Sequence, residues 1–213
     1  MYRGSGAALA ALAAAYAALA VLVVGGTVTG IDQWAVDHLM PGLSGDSDKA
    51  TLLEAVVPLL HAHWSTALRV VGNVVTLPAQ VVISTVLAGA CCLVLQRRGR
   101  GRAAVAWVAV WLAGTAVEVS FKTVLERPLL ESHGRPLDAF ASSFPSGHTL
   151  RSVLLAALIG TMWAGARLPA ALWAGASLIL LELDGWHVPS DIAGGALLAL
   201  LGVVVARRAA AAA

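Results

Sequence analysis

The chain has 213 residues, of which 59% are apolar and 12% charged, with a formal net charge of +2. Soluble globular domains carry about 25% charge, so this composition excludes one, together with a disordered chain, a nucleic-acid-binding domain and a disulfide scaffold. Charge this sparse could not cover a water-facing surface, and the sequence reads as an integral membrane protein, one domain over residues 1–213.

A helix needs about 20 apolar residues to cross the hydrocarbon layer. Six stretches are expected to do so, which predicts an all-α, six-span transmembrane bundle. The first, 7–28, follows Arg3 and exceeds the apolar core of about 7–15 residues found in a signal peptide, so it is read as a retained span. The segment 29–65 then carries His61, His63 and Trp64. Its Leu52, Val56, Leu59 and Leu60 recur at helical spacing and predict an amphipathic helix lying on the membrane. The second span, 70–95, contains Pro78, expected to kink it or to mark its true start. It also holds the adjacent Cys91 and Cys92, read as packing or lipid-facing residues because no partner stands at metal spacing. Spans three to six follow at 103–124, 147–165, 169–183 and 189–206, and an alanine tail, 209–213, is expected to fray.

Charge sets the orientation. Arg3, the run from Arg97 to Arg102, Arg167 and Arg207-Arg208 fall at alternate ends of the spans, and the positive-inside rule puts those ends in the cytoplasm. Both termini are then cytoplasmic in a multi-pass protein of the cell membrane. All twelve acidic residues lie outside those loops. Trp107, Trp163 and Trp173 fall towards the inner interface, and Trp34, Trp64 and Trp186 towards the outer one, as an aromatic belt would. The outer loops 122–145 and 182–191 therefore share the extracytoplasmic face, where the active site is expected.

Three elements carry chemistry. In Phe144-Pro145-Ser146-Gly147-His148 a helix begins at a proline, and open backbone N–H groups at its first turn make a seat for a phosphate. His148, one turn in, can give a proton to a departing oxygen. In His187-Val188-Pro189-Ser190-Asp191 a carboxylate four residues after a histidine can accept one ring N–H and aim the other nitrogen at substrate. Lys122, followed by Arg127-Pro128, puts a cation at the outer end of an apolar span, a placement that asks for an anionic partner. Each also has a plainer reading: a capped helix start, a solvated His–Asp pair, or a cation snorkelling to headgroups. No metal ligand set and no cofactor are expected, because no third ligand stands at familiar spacing.

In this order the three elements resemble the type 2 phosphatidic acid phosphatase superfamily, the lipid phosphate phosphatases, over residues 122–191. The family pattern is Lys-x6-Arg-Pro, then Pro-Ser-Gly-His, then Ser-Arg-x5-His-x3-Asp. The resemblance implies a metal-independent phosphohydrolase in which His187 forms a phosphohistidine, Asp191 orients it, and His148 protonates the leaving oxygen and then activates water. Lys122, Ser146 and the N–H of Gly147 would hold the phosphoryl oxygens. The chain departs from the pattern at two places. Leu129 stands where the first family arginine belongs, and Leu180 and Leu181 stand in place of Ser and Arg. Arg127 and Arg151 are the expected substitutes, with Arg135 read as solvated. Arg151 shares a helix face with His148, and its alternative is an ion pair with Glu182 or Asp184.

The predicted function is removal of phosphate from a polyprenyl (di)phosphate or a glycerolipid phosphate, a membrane lipid partner with no nucleic acid involved and with the oligomeric state open. The alternatives are a lipid phosphotransferase using the same phosphohistidine and a lipid-phosphate-binding pseudoenzyme. A membrane serine protease built on Ser146 is disfavoured, since His148 is too close in sequence to serve it.

Overall fold

The computed structural model describes residues 4–40, 64–132 and 134–211. About 81% of it is helical. In chain order the helices are α1 (Gly4–Val24), α2 (Thr29–Leu39), α3 (Trp64–Thr76), α4 (Val81–Arg97), α5 (Gly101–Val124), α6 (Gly147–Met162), α7 (Arg167–Leu183) and α8 (Pro189–Ala211). One two-stranded antiparallel pair interrupts the all-α pattern, β1 (Glu131–Ser132) with β2 (Arg135–Pro136), Glu131 facing Pro136.

Among the described residues four helices are long and apolar enough to cross a membrane: α1, α5, α7 with its leading turn, and α8. A fifth span results if α3 and α4 count as one, bent by 43° at the break. Pro78 lies in that break, in a 3-10 turn over Leu77–Ala79, and the helix restarts after Gln80. The expected span at 147–165 is instead a helix of 16 residues. At about 1.5 Å per residue it rises roughly 24 Å, short of a hydrocarbon layer of about 30 Å. The apolar run in the sequence is longer than the helix because Trp163 leaves helical geometry and a short 3-10 turn follows. The alanine tail stays helical as far as Ala211. The amphipathic stretch at 52–60, and His61 and His63 after it, lie outside the described residues.

Helix α6 is the centre of the bundle, packed against α4, α5, α7 and α8. Its Leu150, Leu154, Leu155 and Leu158 are buried in one cluster with Trp107, Leu198 and Val203. Trp107, 2% exposed, is thus a core residue and not part of an interfacial belt. In lipid, helix association rests on close packing more than on hydrophobic burial. Small residues accordingly line the contacts, among them Gly114 against Leu150 and Gly202 against Val110. Val21, Val82, Val105, Leu112 and Leu168 face outward, which accounts for the high mean hydropathy of +0.81. The result is a multi-pass, helical membrane protein.

A second, smaller core gathers Val36 of α2 and Met40 just after it, Leu130, Leu137 and Phe140 of the 125–146 loop, and Val188. Gln33 reinforces it by clamping the backbone of Glu131, donating to its carbonyl at 2.8 Å and accepting its N–H at 3.0 Å. Helix α2, expected only as part of an outer loop, is thereby fixed against the loop that precedes α6 and against Val188, just before α8.

Candidate active site

The site forms where the starts of α6 and α8 meet. Ser146 caps α6, its Oγ accepting the N–H of Thr149 at 3.3 Å, which is the ordinary way a serine satisfies a first-turn donor. Its own N–H donates to the carbonyl of Asp191 at 3.0 Å. That bond requires α8 to approach the α6 start very closely. Gly195 permits it, since a Cβ there would lie 2.4 Å from the Ser146 carbonyl oxygen. Because Gly195 follows Asp191 by four residues, the face of α8 that meets α6 is the one that carries Asp191.

His187 reaches this junction from the other side. Helix α7 ends with Gly185 in the left-handed region (φ 73°), and the N–H groups of Trp186 and His187 fold back to the Leu181 carbonyl at 3.0 and 3.3 Å. This is a glycine-terminated helix end, and it delivers His187 directly above α8. There Nδ1 lies 3.4 Å from Asp191 Oδ2. His187 is buried and Asp191 fully so. The half-exposed His148 presents its ring 6.3 Å from that of His187 and 6.0 Å from Trp186, centroid to centroid. The two histidines expected to share the chemistry are therefore neighbours.

The cations sort into two clusters. In the first, Glu118 accepts from Arg151 Nη1 at 2.7 Å and from Lys122 Nζ at 3.0 Å. Its carboxylate lies hard against the first turn of α6, where a Cβ on Gly147 would fall 1.8 Å from Glu118 Oε1. Arg151 is further tied to the Ala79 carbonyl through Nε at 2.9 Å. Its partner is Glu118, not Glu182 or Asp184. In the second cluster Arg127, held in place by its N–H to the Ala141 carbonyl, turns inward. It donates to Asp191 Oδ1 at 3.2 Å, to Ser190 Oγ at 3.1 Å and to Asp32 Oδ2. Asp32 also accepts from the N–H of Ser190 at 3.0 Å and from its hydroxyl at 2.7 Å.

Formal charges differ between the two. Lys122, Arg151 and Glu118 sum to +1 beside the α6 start. Arg127, Asp32 and Asp191 sum to −1 beside His187, counted with a neutral ring. Leu129 is half exposed and Leu181 is packed in the interior, so neither family arginine position offers a cation here. Arg135 lies exposed in β2. Among the described residues no group of three or more His, Cys, Asp and Glu side chains is arranged to hold a metal ion.

Residues 121–212 match the family model described as the PAP2 superfamily. Over that stretch, somewhat less than half of the chain, the sequence is similar to the PAP2 superfamily. No curated protein and no solved structure matches the chain. Members of that superfamily are phosphatases acting on lipid phosphates in general. The PAP2 stretch contains Lys122, Arg127, Ser146, Gly147, His148, Arg151, His187 and Asp191, every residue singled out from the sequence. Asp32 and Glu118, which join Asp191 in binding the site's cations, precede it and were not singled out. Glu118 had one local signal, an acid inside an apolar span four residues before Lys122. Asp32 had none, since its partners are about 95 and 158 residues away in the chain.

Proposed function

We propose that this protein is a metal-independent lipid phosphate or diphosphate phosphatase working through a phosphohistidine on His187. The observation that carries the reading is the meeting of His148 and His187, with His187 backed by a buried carboxylate, at a helix start suited to a phosphate.

With Nδ1–H donated to Asp191, the lone pair is left on His187 Nε2, in a ring that neighbours His148 at the α6 start. A phosphoryl group seated on the first-turn N–H groups of α6 gains from the helix dipole and from the net positive charge of the Lys122–Glu118–Arg151 cluster. Nε2 attacks phosphorus, the bond from phosphorus to the leaving oxygen breaks, and His148 gives that oxygen a proton. In the second step His148 takes a proton from water, the hydroxide attacks phosphorus, and the P–N bond breaks to free phosphate and restore His187. The phosphorylated ring is a cation, which suits the net negative charge of the Arg127–Asp32–Asp191 cluster. Arg127 in this scheme braces Asp191 and flanks the phosphate seat, while Arg151 supplies the positive charge that Leu181 lacks. The apolar outer faces of the helices suit the tail of a polyprenyl or glycerolipid substrate, and the arginine-rich loops support a site on the extracytoplasmic side of the cell membrane.

The test is phosphate release from a panel of polyprenyl and glycerolipid mono- and diphosphates, with EDTA present. Chelator-insensitive release is expected. Binding without release would instead indicate a lipid-phosphate binder, and transfer to an added alcohol in place of water a phosphotransferase.

A further inference from the structure

We propose that Asp32 is a positioning residue of this centre, acting through Ser190 and Arg127 on Asp191 and thereby on His187. The inference rests on the reading that His187 is the nucleophile. Helix α2 would then belong to the catalytic machinery, although it lies outside the stretch that matches the PAP2 superfamily.

The argument begins at the first turn of α8. A helix start leaves N–H groups without intrahelical partners, and a side-chain oxygen just before the helix normally takes one of them. The residue before α8 is Val188, which has no side-chain oxygen to offer. Asp32 supplies it from another helix: its Oδ1 accepts the N–H of Ser190 at 3.0 Å, and its negative charge sits at the positive end of the α8 dipole. The turn so fixed is the one that carries Asp191.

Charge gives the second half of the argument. Arg127 divides its guanidinium between Asp32 on Nη2 and Asp191 on Nη1. Both carboxylates and the Arg127 side chain are 2% exposed or less, so water does not screen the competition between them. With Asp32 charged, Asp191 owes only one oxygen to Arg127 and keeps the other for His187. Without that charge, Arg127 is left with Asp191 as its carboxylate partner in the cluster. The acceptor strength that Asp191 offers to His187 Nδ1–H then falls, and with it the preference for the tautomer that aims Nε2 at phosphorus.

Asp32→Asn should lower kcat by about 10-fold to 100-fold, the scale for removing an outer partner of a functional histidine, with KM changed much less. In 15N spectra of histidine-labelled protein, with the His187 signal assigned by its loss in His187→Gln, the Nδ1–H tautomer should dominate in the parent and give way to a mixture in Asp32→Asn. In the tautomer ratio, Asp32→Asn with Arg127→Gln should be shifted no further than Asp32→Asn alone, because both act on Asp191 through one network. A folded Asp32→Asn protein with the parent's tautomer ratio and kcat would overturn the proposal. If that variant does not fold, Asp32→Glu decides instead. It keeps the charge but moves the carboxylate by a methylene, so reduced kcat is expected and full kcat would refute the positional requirement. The tautomer reading needs no turnover. A parent protein that releases no phosphate would sink the phosphatase reading and leave the link from Asp32 to His187 separately decided.

Discussion

Glu118→Gln strands the positive charge that Glu118 balances, and the size of the effect follows from burial. The side chains of Glu118 and Arg151 are 6% and 7% exposed, and their charged atoms approach to 2.7 Å. Removing one member of such a buried pair costs about 3–5 kcal/mol, because the survivor keeps its desolvation penalty without its partner. Lys122 adds little, since its side chain is 31% exposed and a partly solvated pair contributes at most about 1 kcal/mol. The amide can still accept a hydrogen bond from Arg151, which places the expected loss near the lower end, about 3 kcal/mol. Equilibrium unfolding in mixed micelles measures it. Adding Arg151→Met removes the stranded guanidinium, so the double variant should be more stable than Glu118→Gln alone by at least about 1 kcal/mol. Glu118→Gln also raises the formal charge beside the α6 start from +1 to +2, so inhibition by inorganic phosphate should strengthen even as stability falls. A Glu118→Gln protein within about 0.5 kcal/mol of the parent, or one with weaker phosphate inhibition, would refute this account of the cluster.

Gly195→Ala should cost about 1–3 kcal/mol and most of the turnover together, because its Cβ would press on the Ser146 carbonyl oxygen 2.4 Å away and break the Ser146–Asp191 bond; phosphate release and melting of the same preparation check it. Burial pushes the Asp184 carboxyl up to about 6 from 3.8, against the opposing pull of Arg69. The folded protein therefore binds this proton more tightly than the unfolded chain, and stability should fall as pH rises between those two values and level off above them. Asp184→Asn should flatten that slope and raise Tm at pH 7, as read by thermal melts across pH. A cysteine at Ser132 should react with an impermeant thiol reagent in intact cells and one at Gly99 should not; reversed labelling would overturn the extracytoplasmic assignment.

Much of the site was legible because its chemistry is written in short, local patterns. Pro-Ser-Gly-His announces a helix start, and His187 with Asp191 announces an oriented imidazole, each from neighbours within five residues. The fold brings these two elements together through Gly195 and the Ser146–Asp191 bond, neither of which periodicity could have specified. The helices were legible where apolar runs coincide with helical geometry, as at α5 and α8. The reading overran at α6, since Trp163 and its neighbours are apolar but turn away. For Arg151 the ion-pair alternative looked to Glu182 and Asp184 near the end of α7, next in sequence, when Glu118 on α5 is next in space. Asp32 was invisible for the same reason, as a carboxylate in a segment read as an outer loop acquires meaning only when Arg127 and Ser190 are folded against it.

The central claim is that His187 carries the phosphoryl group, and rapid acid- and base-quench of turnover with a 32P-labelled lipid phosphate tests it most directly. Label should appear on His187, stable to base and labile to acid, and it should accumulate in His148→Ala, where the second step lacks its base. Label on Ser146, or turnover with no phosphohistidine in either protein, would contradict the account.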